Sequence, residues 1–173
     1  MRRIIVGVAV SLDGFIEGPQ GEYDWCFTDQ DYGMSDFTKR IDTIFMGRKS
    51  FEAAKKYEGE NPRKGVATYV FSKTMTETGS PDATVVNGHI GNFVMDFKQT
   101  KGKDIWLFGG AQLLTTFVNE GWVDEYWLSV HPVILGAGTP LFQNISTRKK
   151  LKLVSHKVYD TGLVSLKYVP GGE

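Results

Sequence analysis

Ile105-Trp106-Leu107-Phe108-Gly109-Gly110-Ala111-Gln112 is the stretch that decides the fold. An apolar strand runs into two glycines and a helical pattern starts at once, with Leu113, Leu114, Phe117 and Val118 on one face and Gly121 as its stop. A short apolar strand that turns directly into a helix is the building unit of a sheet covered on both faces. Glycines let a backbone approach a ligand closely, and the amides exposed at a helix start attract phosphate. The same two glycines also suit a tight turn that holds no ligand. The spacing is not G-x-G-x-x-G, so the usual dinucleotide fingerprint is absent.

Two further strand ends carry similar chemistry. In Ile44-Phe45-Met46-Gly47-Arg48-Lys49-Ser50-Phe51 a strand again ends in glycine before a helix, now with two cations and a hydroxyl at the junction. Arg48 suits a two-pronged hydrogen bond to phosphate, and Lys49 a point charge. In Tyr69-Val70-Phe71-Ser72-Lys73-Thr74 the strand end bears a hydroxyl and a cation. Each of these also reads as a solvated turn. Together they fit the rule that ligands gather outside the carboxyl ends of strands, and three such ends suit a long ligand with several phosphates.

Outward from these segments, strands are predicted over Arg3–Val10, Thr43–Met46, Ala67–Phe71, Thr84–Val86, Asp104–Phe108 and Glu125–Pro132. Helices are predicted over Asp31–Ile41, Lys49–Tyr57, Asn92–Thr100 and Ala111–Glu120. Lys150–Tyr159 and Leu163–Val169 read as two strands joined by a hairpin turn at Asp160-Thr161-Gly162. There Val164, Leu166 and Tyr168 alternate with Ser165 and Lys167, which predicts one buried face. Asn61-Pro62-Arg63-Lys64-Gly65 and Thr78-Gly79-Ser80-Pro81-Asp82 read as surface turns. The pattern predicts a single α/β domain over residues 1–173, a three-layer α/β/α arrangement with a mixed, mostly parallel central sheet and a C-terminal antiparallel hairpin.

Composition bounds the function classes. The 173 residues include 20 basic and 20 acidic side chains, for a net charge of zero. Zero net charge argues against bulk attraction to nucleic acid or an anionic membrane. A chain this long buries roughly 70% of its unfolded surface and needs no metal or disulfide to hold a core. The single Cys26 cannot form an internal disulfide, which fits a reducing, cytoplasmic setting. Met1-Arg2-Arg3 before Ile4–Leu12 has the look of a signal peptide. The apolar stretch is short, ends at Asp13-Gly14 and is rich in β-branched residues, so it reads better as a buried first strand. His89, His131 and His156 lie far apart without metal-ligand spacing, so no metal is expected, and core or surface roles fit them better.

The sequence resembles a known family. Met46-Gly47-Arg48-Lys49-Ser50-Phe51-Glu52 and Phe108-Gly109-Gly110-Ala111 are similar to segments of dihydrofolate reductases. Ala9-Val10-Ser11-Leu12-Asp13-Gly14-Phe15-Ile16 and Pro132-Val133-Ile134-Leu135-Gly136-Ala137-Gly138-Thr139-Pro140-Leu141-Phe142 are closer to a sister group. That group is the reductase domain of the riboflavin-biosynthesis deaminase-reductase and its small stand-alone relatives. The resemblance implies a dihydrofolate-reductase-like fold and an NADPH-dependent reductase. It implies that Ala9 and Ile16 flank the nicotinamide, and that Gly47, Arg48, Lys49 and Ser50 hold the diphosphate and adenosine side. It implies that Ser72 and Lys73 meet the 2′-phosphate, and that Gly109, Gly110, Ala111, Gln112 and Leu113 wrap the diphosphate from the other side. Ser129 falls where the family often has a hydroxyl facing the substrate, and Trp25 is a second candidate for that pocket. A homodimer, through the C-terminal strands, is also implied.

Dihydrofolate reductases carry an acid early in the first helix. Asp24, Asp29, Asp31 and Asp36 are available here. Counting back from Met46 selects Asp31, whereas aligning Phe37 lands on Gly33. Asp31 is the candidate proton donor, with a helix cap as its other reading, and it would need a raised pKa from partial burial to serve near neutral pH. Folate reduction itself is therefore not the expected activity. The expected reaction is hydride transfer from NADPH to a small heterocyclic or sugar-derived substrate. Two rivals stand beside it: 5-amino-6-(5-phosphoribosylamino)uracil reductase, and a non-catalytic NADPH-binding module.

Overall fold

A computed structural model describes residues 1–57 and 65–172. The chain runs β1 (Ile4–Ser11), β2 (Phe15–Glu17), α1 (Met34–Arg40), β3 (Ile41–Gly47), α2 (Arg48–Tyr57), β4 (Ala67–Phe71), β5 (Ala83–Val86) and α3 (Ile90–Gln99). It continues through β6 (Asp104–Gly109), α4 (Ala111–Asn119), β7 (Glu125–His131), β8 (Thr139–Pro140), β9 (Leu151–Val158) and β10 (Val164–Pro170). Eight strands form one sheet in the order β5-β4-β3-β6-β1-β7-β10-β9, and β2 pairs with β8 in a small antiparallel sheet. Neighbouring pairs are parallel from β5 across to β7, while β10 runs antiparallel to both β7 and β9. The expected three-layer mixed sheet with a C-terminal hairpin is present.

Each face of the sheet has its own core. On one side Phe37 of α1 and Phe51 of α2 join Ile5, Ile44, Met46, Trp106 and Trp127. On the other, Val94 of α3 and Leu113, Leu114, Phe117 and Val118 of α4 pack on Ile4, Val6, Phe45 and Leu107. Phe45 is fully buried, with the rings of Phe71, Phe97 and Phe117 at 5.1, 5.4 and 6.1 Å. Burying such a side chain stabilises by about 1.5–3 kcal/mol.

The amino ends of the parallel strands are fastened by charge. Arg40 spans Glu125 at 3.1 Å and Asp104 at 3.0 Å, and Lys98 meets Asp124 at 2.7 Å. Arg2, itself buried, pairs with Asp42 and donates to Thr43 Oγ1 at 2.7 Å. This leaves the carboxyl ends as the face where loops and ligand chemistry gather.

Several local expectations are corrected. α1 begins at Met34 rather than Asp31, because Tyr32 and Gly33 have φ of 49° and 87°, in the left-handed region that a right-handed helix does not allow. Ile41 already belongs to β3, and Pro132 lies outside β7. α3 starts at Ile90, two residues early. The short strands β2 and β8 were not expected at all; two and three residues are too few to show a period. The C-terminal alternation is only partly expressed: Val164, Leu166 and Tyr168 are half-buried, while Ser165 on the opposite face is buried. Trp127 Nε1 donates to Ser165 Oγ at 2.7 Å, which satisfies a hydroxyl that the pattern assigned to solvent. Of the Asn61–Gly65 turn, Asn61 to Lys64 lie outside the described residues; Gly65 has φ 85°.

Candidate functional site

Sheet register places the three strand ends side by side. Gly47 at the tip of β3 is opposite Phe71 of β4, and Met46 is opposite Gly109 of β6. The residues that follow, Arg48 after β3, Ser72 after β4 and Gly110 after β6, therefore emerge at one edge. β1 lies on the far side of β6 and β7 beyond it. With strands about 4.8 Å apart, the tips from β4 to β1 span roughly 14 Å.

Gly47, Ser50, Gly109 and Gly110 form one cradle. A Cβ on Gly47 would lie 3.6 Å from the Gly110 amide nitrogen, and one on Gly110 only 3.1 Å from Ser50 Oγ. The Gly109–Gly110 peptide is cis, and Gly109 has φ 132°. Gly110 is the N-cap of α4 and brings no capping side chain, so the first-turn amides of Ala111, Gln112 and Leu113 face outward without a side-chain acceptor. No acidic residue lies in that first turn. The Leu113 side chain is in the core, so only its backbone is available to a ligand, while Gln112 is exposed.

The next two turns are bonded to each other. Arg48 Nε donates to Glu52 Oε1 at 2.6 Å, and Nη1 donates to Thr74 Oγ1 at 3.0 Å. Ser72 Oγ accepts from the amides of Met75 at 3.0 Å and Thr74 at 3.3 Å. The oxygen of Ser72 is thus used to shape its turn, and its O–H remains a donor. Lys49 and Lys73 are exposed beside them. Thr74, a sequence neighbour of Ser72 and Lys73, gives no signal of its own in the sequence; its tie to Arg48 joins residues from separate turns.

On β1 and β7, Ala9 is the register partner of Ser129, and Ser11 that of His131. Alternation puts these four on the α1 side, opposite Val8, Val10, Leu128 and Val130, which pack on the other core. Trp25 reaches this end of β7 from the long connection between β2 and α1, its ring edge-on to His131 at 5.3 Å. The buried Trp25 Nε1 has no hydrogen-bond partner. Ile16, on β2, packs half-buried on the core.

Ser11 and Asp13 knit the two motif segments together. Ser11 Oγ donates to Asp13 Oδ1 at 2.6 Å, and Asp13 accepts from the amides of Leu135 at 3.1 Å and Gly136 at 2.8 Å. The Ser11 hydroxyl, with the two amides, holds the Asp13 carboxyl below the ordinary range against some desolvation. A Cβ on Gly138 would overlap the Glu17 carbonyl oxygen, which is why glycine stands where β8 meets β2.

Asp31 is bonded within its own turn. Its carboxylate is exposed and accepts from the Ser35 hydroxyl at 2.6 Å, the Ser35 amide at 2.9 Å and the Gly33 amide at 3.1 Å. These bonds, led by the Ser35 hydroxyl, lower its pKa. The raised pKa expected from partial burial is therefore corrected: Asp31 shapes the turn into α1 and stays ionised at neutral pH. Cys26 is half-buried, and burial, reinforced by Asp24, pushes its thiol up to about 11. Among the described residues no group of three or more His, Cys, Asp or Glu is placed to hold a metal ion, and no helix is long and apolar enough to cross a membrane.

Comparison with known proteins is consistent over nearly the whole chain. The sequence model of the family described as RibD C-terminal domain matches residues 2–165. The uncharacterized protein YyaP of Bacillus subtilis (strain 168) is 46% identical over 178 residues, covering 96% of this chain and 94% of that one. A crystal structure from Shewanella sp. PV-4, described as a candidate riboflavin biosynthesis protein, superposes with a TM-score of 0.88 at 25% identity, covering 98% of this chain and 99% of that one. Dihydrofolate reductase from Enterococcus faecalis, solved in complex with NADP(H), shares the fold with a TM-score of 0.71 at 17% identity, covering 98% of this chain and 97% of that one.

Proposed function

The chain belongs to the RibD C-terminal domain family, and from this footing we propose that it is an NADPH-dependent reductase acting on a small heterocyclic or sugar-derived substrate. The observation that carries this reading is the row of adjacent tips: Ser72 and Lys73 after β4, Gly47 to Ser50 from the end of β3, and Gly109 to Leu113 from the end of β6. A phosphate-bearing coenzyme fits that row on two counts. The glycine cradle beside Ser50 leaves backbone exposed, and at Gly110 a Cβ would crowd the Ser50 hydroxyl. The uncapped start of α4 turns amides outward with no acid in its first turn.

In this reading the amides of Ala111, Gln112 and Leu113 and the Ser50 hydroxyl hold the diphosphate. Arg48 and Lys49 add positive charge, and Lys73 with the Ser72 hydroxyl takes the 2′-phosphate, which favours NADPH over NADH. NADPH supplies the hydride when bound. Ala9 and Ile16 flank the nicotinamide, and Ser129 and Trp25 line the substrate side. With Asp31 ionised, it serves by polarising water, and water delivers the proton. The exposed Leu151, Leu153, Val154 and Val158 of the edge strand β9 support a homodimer through the C-terminal strands. Cys26, as the single cysteine, fits a reducing cytoplasm.

Titration of the protein with NADPH and with NADH, followed by tryptophan fluorescence, tests the proposal. Saturable quenching by NADPH at a lower concentration than NADH is expected. Absence of quenching by either at sub-millimolar concentration overturns it.

A further inference from the structure

Residues 18–33 connect β2 to α1 and carry Trp25, Cys26 and Phe27. One side chain from β7 pins this connection. His131, the last residue of β7, is 3% exposed. Its Nε2 accepts the Phe27 N–H at 3.1 Å, and its Nδ1 faces the Ser129 carbonyl oxygen at 2.9 Å. A carbonyl has no proton to give, so Nδ1 carries the hydrogen and Nε2 is bare. The imidazole is therefore neutral, and both nitrogens are committed to backbone groups. The rings of Trp25 and Phe27 stand edge-on to it at 5.3 and 5.0 Å.

We propose that His131 is a positioning residue: in its neutral form it clamps the Trp25–Phe27 segment to the end of β7 that carries Ser129, and a proton taken up at Nε2 releases the segment. Protonation sets an N–H at Nε2 against the Phe27 N–H. Two donors cannot bond, so the clamp is lost. Burial moves the His131 pKa below its ordinary value, with the Ser129 carbonyl opposing part of that shift, so release falls on the acid side of neutrality.

The surrounding charges do not offset this. On β1, Ser11 is the register partner of His131, and Asp13, just beyond the strand, is engaged with Ser11, Leu135 and Gly136. On the segment itself the Cys26 thiol stays protonated, Asp24 lies next to it, and Asp29 accepts from the Tyr32 hydroxyl at 2.7 Å. In the β9–β10 turn, Tyr159 packs on Tyr32 at 4.9 Å, and Asp160 follows it. The inference rests on the proposed function only in placing this segment beside the substrate; the clamp itself is read from the free chain.

The test uses the full chain without coenzyme between pH 5 and 8. The Phe27 amide is followed by residue-resolved hydrogen exchange, and the Trp25 contribution to fluorescence is obtained by difference with Trp25→Phe. In the wild type both report one midpoint below about 6.5, and Phe27 protection falls at least tenfold across it after correction for intrinsic exchange. His131→Gln can still accept from the Phe27 N–H but cannot titrate, so it keeps the protection and loses the midpoint. His131→Ala loses the protection at every pH. Should that variant fail to fold, the comparison of wild type with His131→Gln decides alone. Identical pH profiles in those two overturn the inference and leave coenzyme binding standing. Failure of the wild type to bind NADPH removes the reductase reading and leaves these profiles untouched.

Discussion

Arg48 Nη1 donates to Thr74 Oγ1 at 3.0 Å, a bond that joins the turn after β3 to the turn after β4. It holds the guanidinium between the Gly47–Ser50 cradle and the Ser72–Lys73 turn. Arg48→Ala is expected to weaken NADPH binding about tenfold, roughly 1.4 kcal/mol, the scale of a charged hydrogen bond at a half-exposed site. Lys73→Ala, farther along, is expected to weaken NADPH and leave NADH affinity unchanged. Fluorescence titration of both variants with both nucleotides checks this; an unaltered dissociation constant for Arg48→Ala removes that residue from the site.

Ser165 on β10 accepts the indole N–H of Trp127 on β7 inside the sheet. Ser165→Ala leaves that buried donor unpaired and is expected to destabilise by about 1–3 kcal/mol. Urea unfolding at neutral pH measures it. A loss below a few tenths of a kcal/mol would mean that the bond contributes nothing net.

Gly138 has φ 143°, and its α-hydrogen faces the Glu17 carbonyl. Gly138→Ala combines an unfavourable backbone with a direct clash, so a loss of about 2–4 kcal/mol is expected. Calorimetry reads the fall in Tm, while Gly172→Ala, where nothing lies within 4 Å, serves as the neutral control.

The Cys26 thiol, raised to about 11, is predominantly protonated at pH 8. Alkylation by iodoacetamide at that pH is expected on the order of a hundredfold slower than for an unperturbed thiol. The linked effect on stability has a definite sign. The unfolded thiol ionises near 9 while the folded one resists until about 11, so its contribution is complete below pH 9 and is lost as pH rises through that interval. Comparing the alkaline limb of the stability curve with that of Cys26→Ala isolates it.

Much of the layered plan was legible because it is written in short-range patterns. The apolar face of Leu113, Leu114, Phe117 and Val118 is read within a single helix, and it packs as read. Gly109 and Gly110, at the end of β6, stand where a strand turns into a helix. What misled was also local. Asp31 has the composition of a helix start, yet Tyr32 and Gly33 adopt left-handed conformations that hold the helix back to Met34. Ser165 has the alternation of a solvent-facing position, yet a tryptophan from the neighbouring strand supplies its partner. His131 carries no metal-ligand spacing and gave no signal, since both of its bonds go to backbone groups whose position depends on the fold.

Taken by itself, the order of residues determined the longer strands and the helices to within a few residues, and which junctions carry glycine, hydroxyl and cation chemistry, but not the short strands β2 and β8. Those properties depend on side-chain period and backbone freedom over a few residues. Only the tertiary structure decided that β4, β3 and β6 lie side by side, that Ala9 faces Ser129 and that Trp25 reaches the end of β7. Strand order and register are settled by which distant apolar faces bury each other best, and no local pattern encodes that competition.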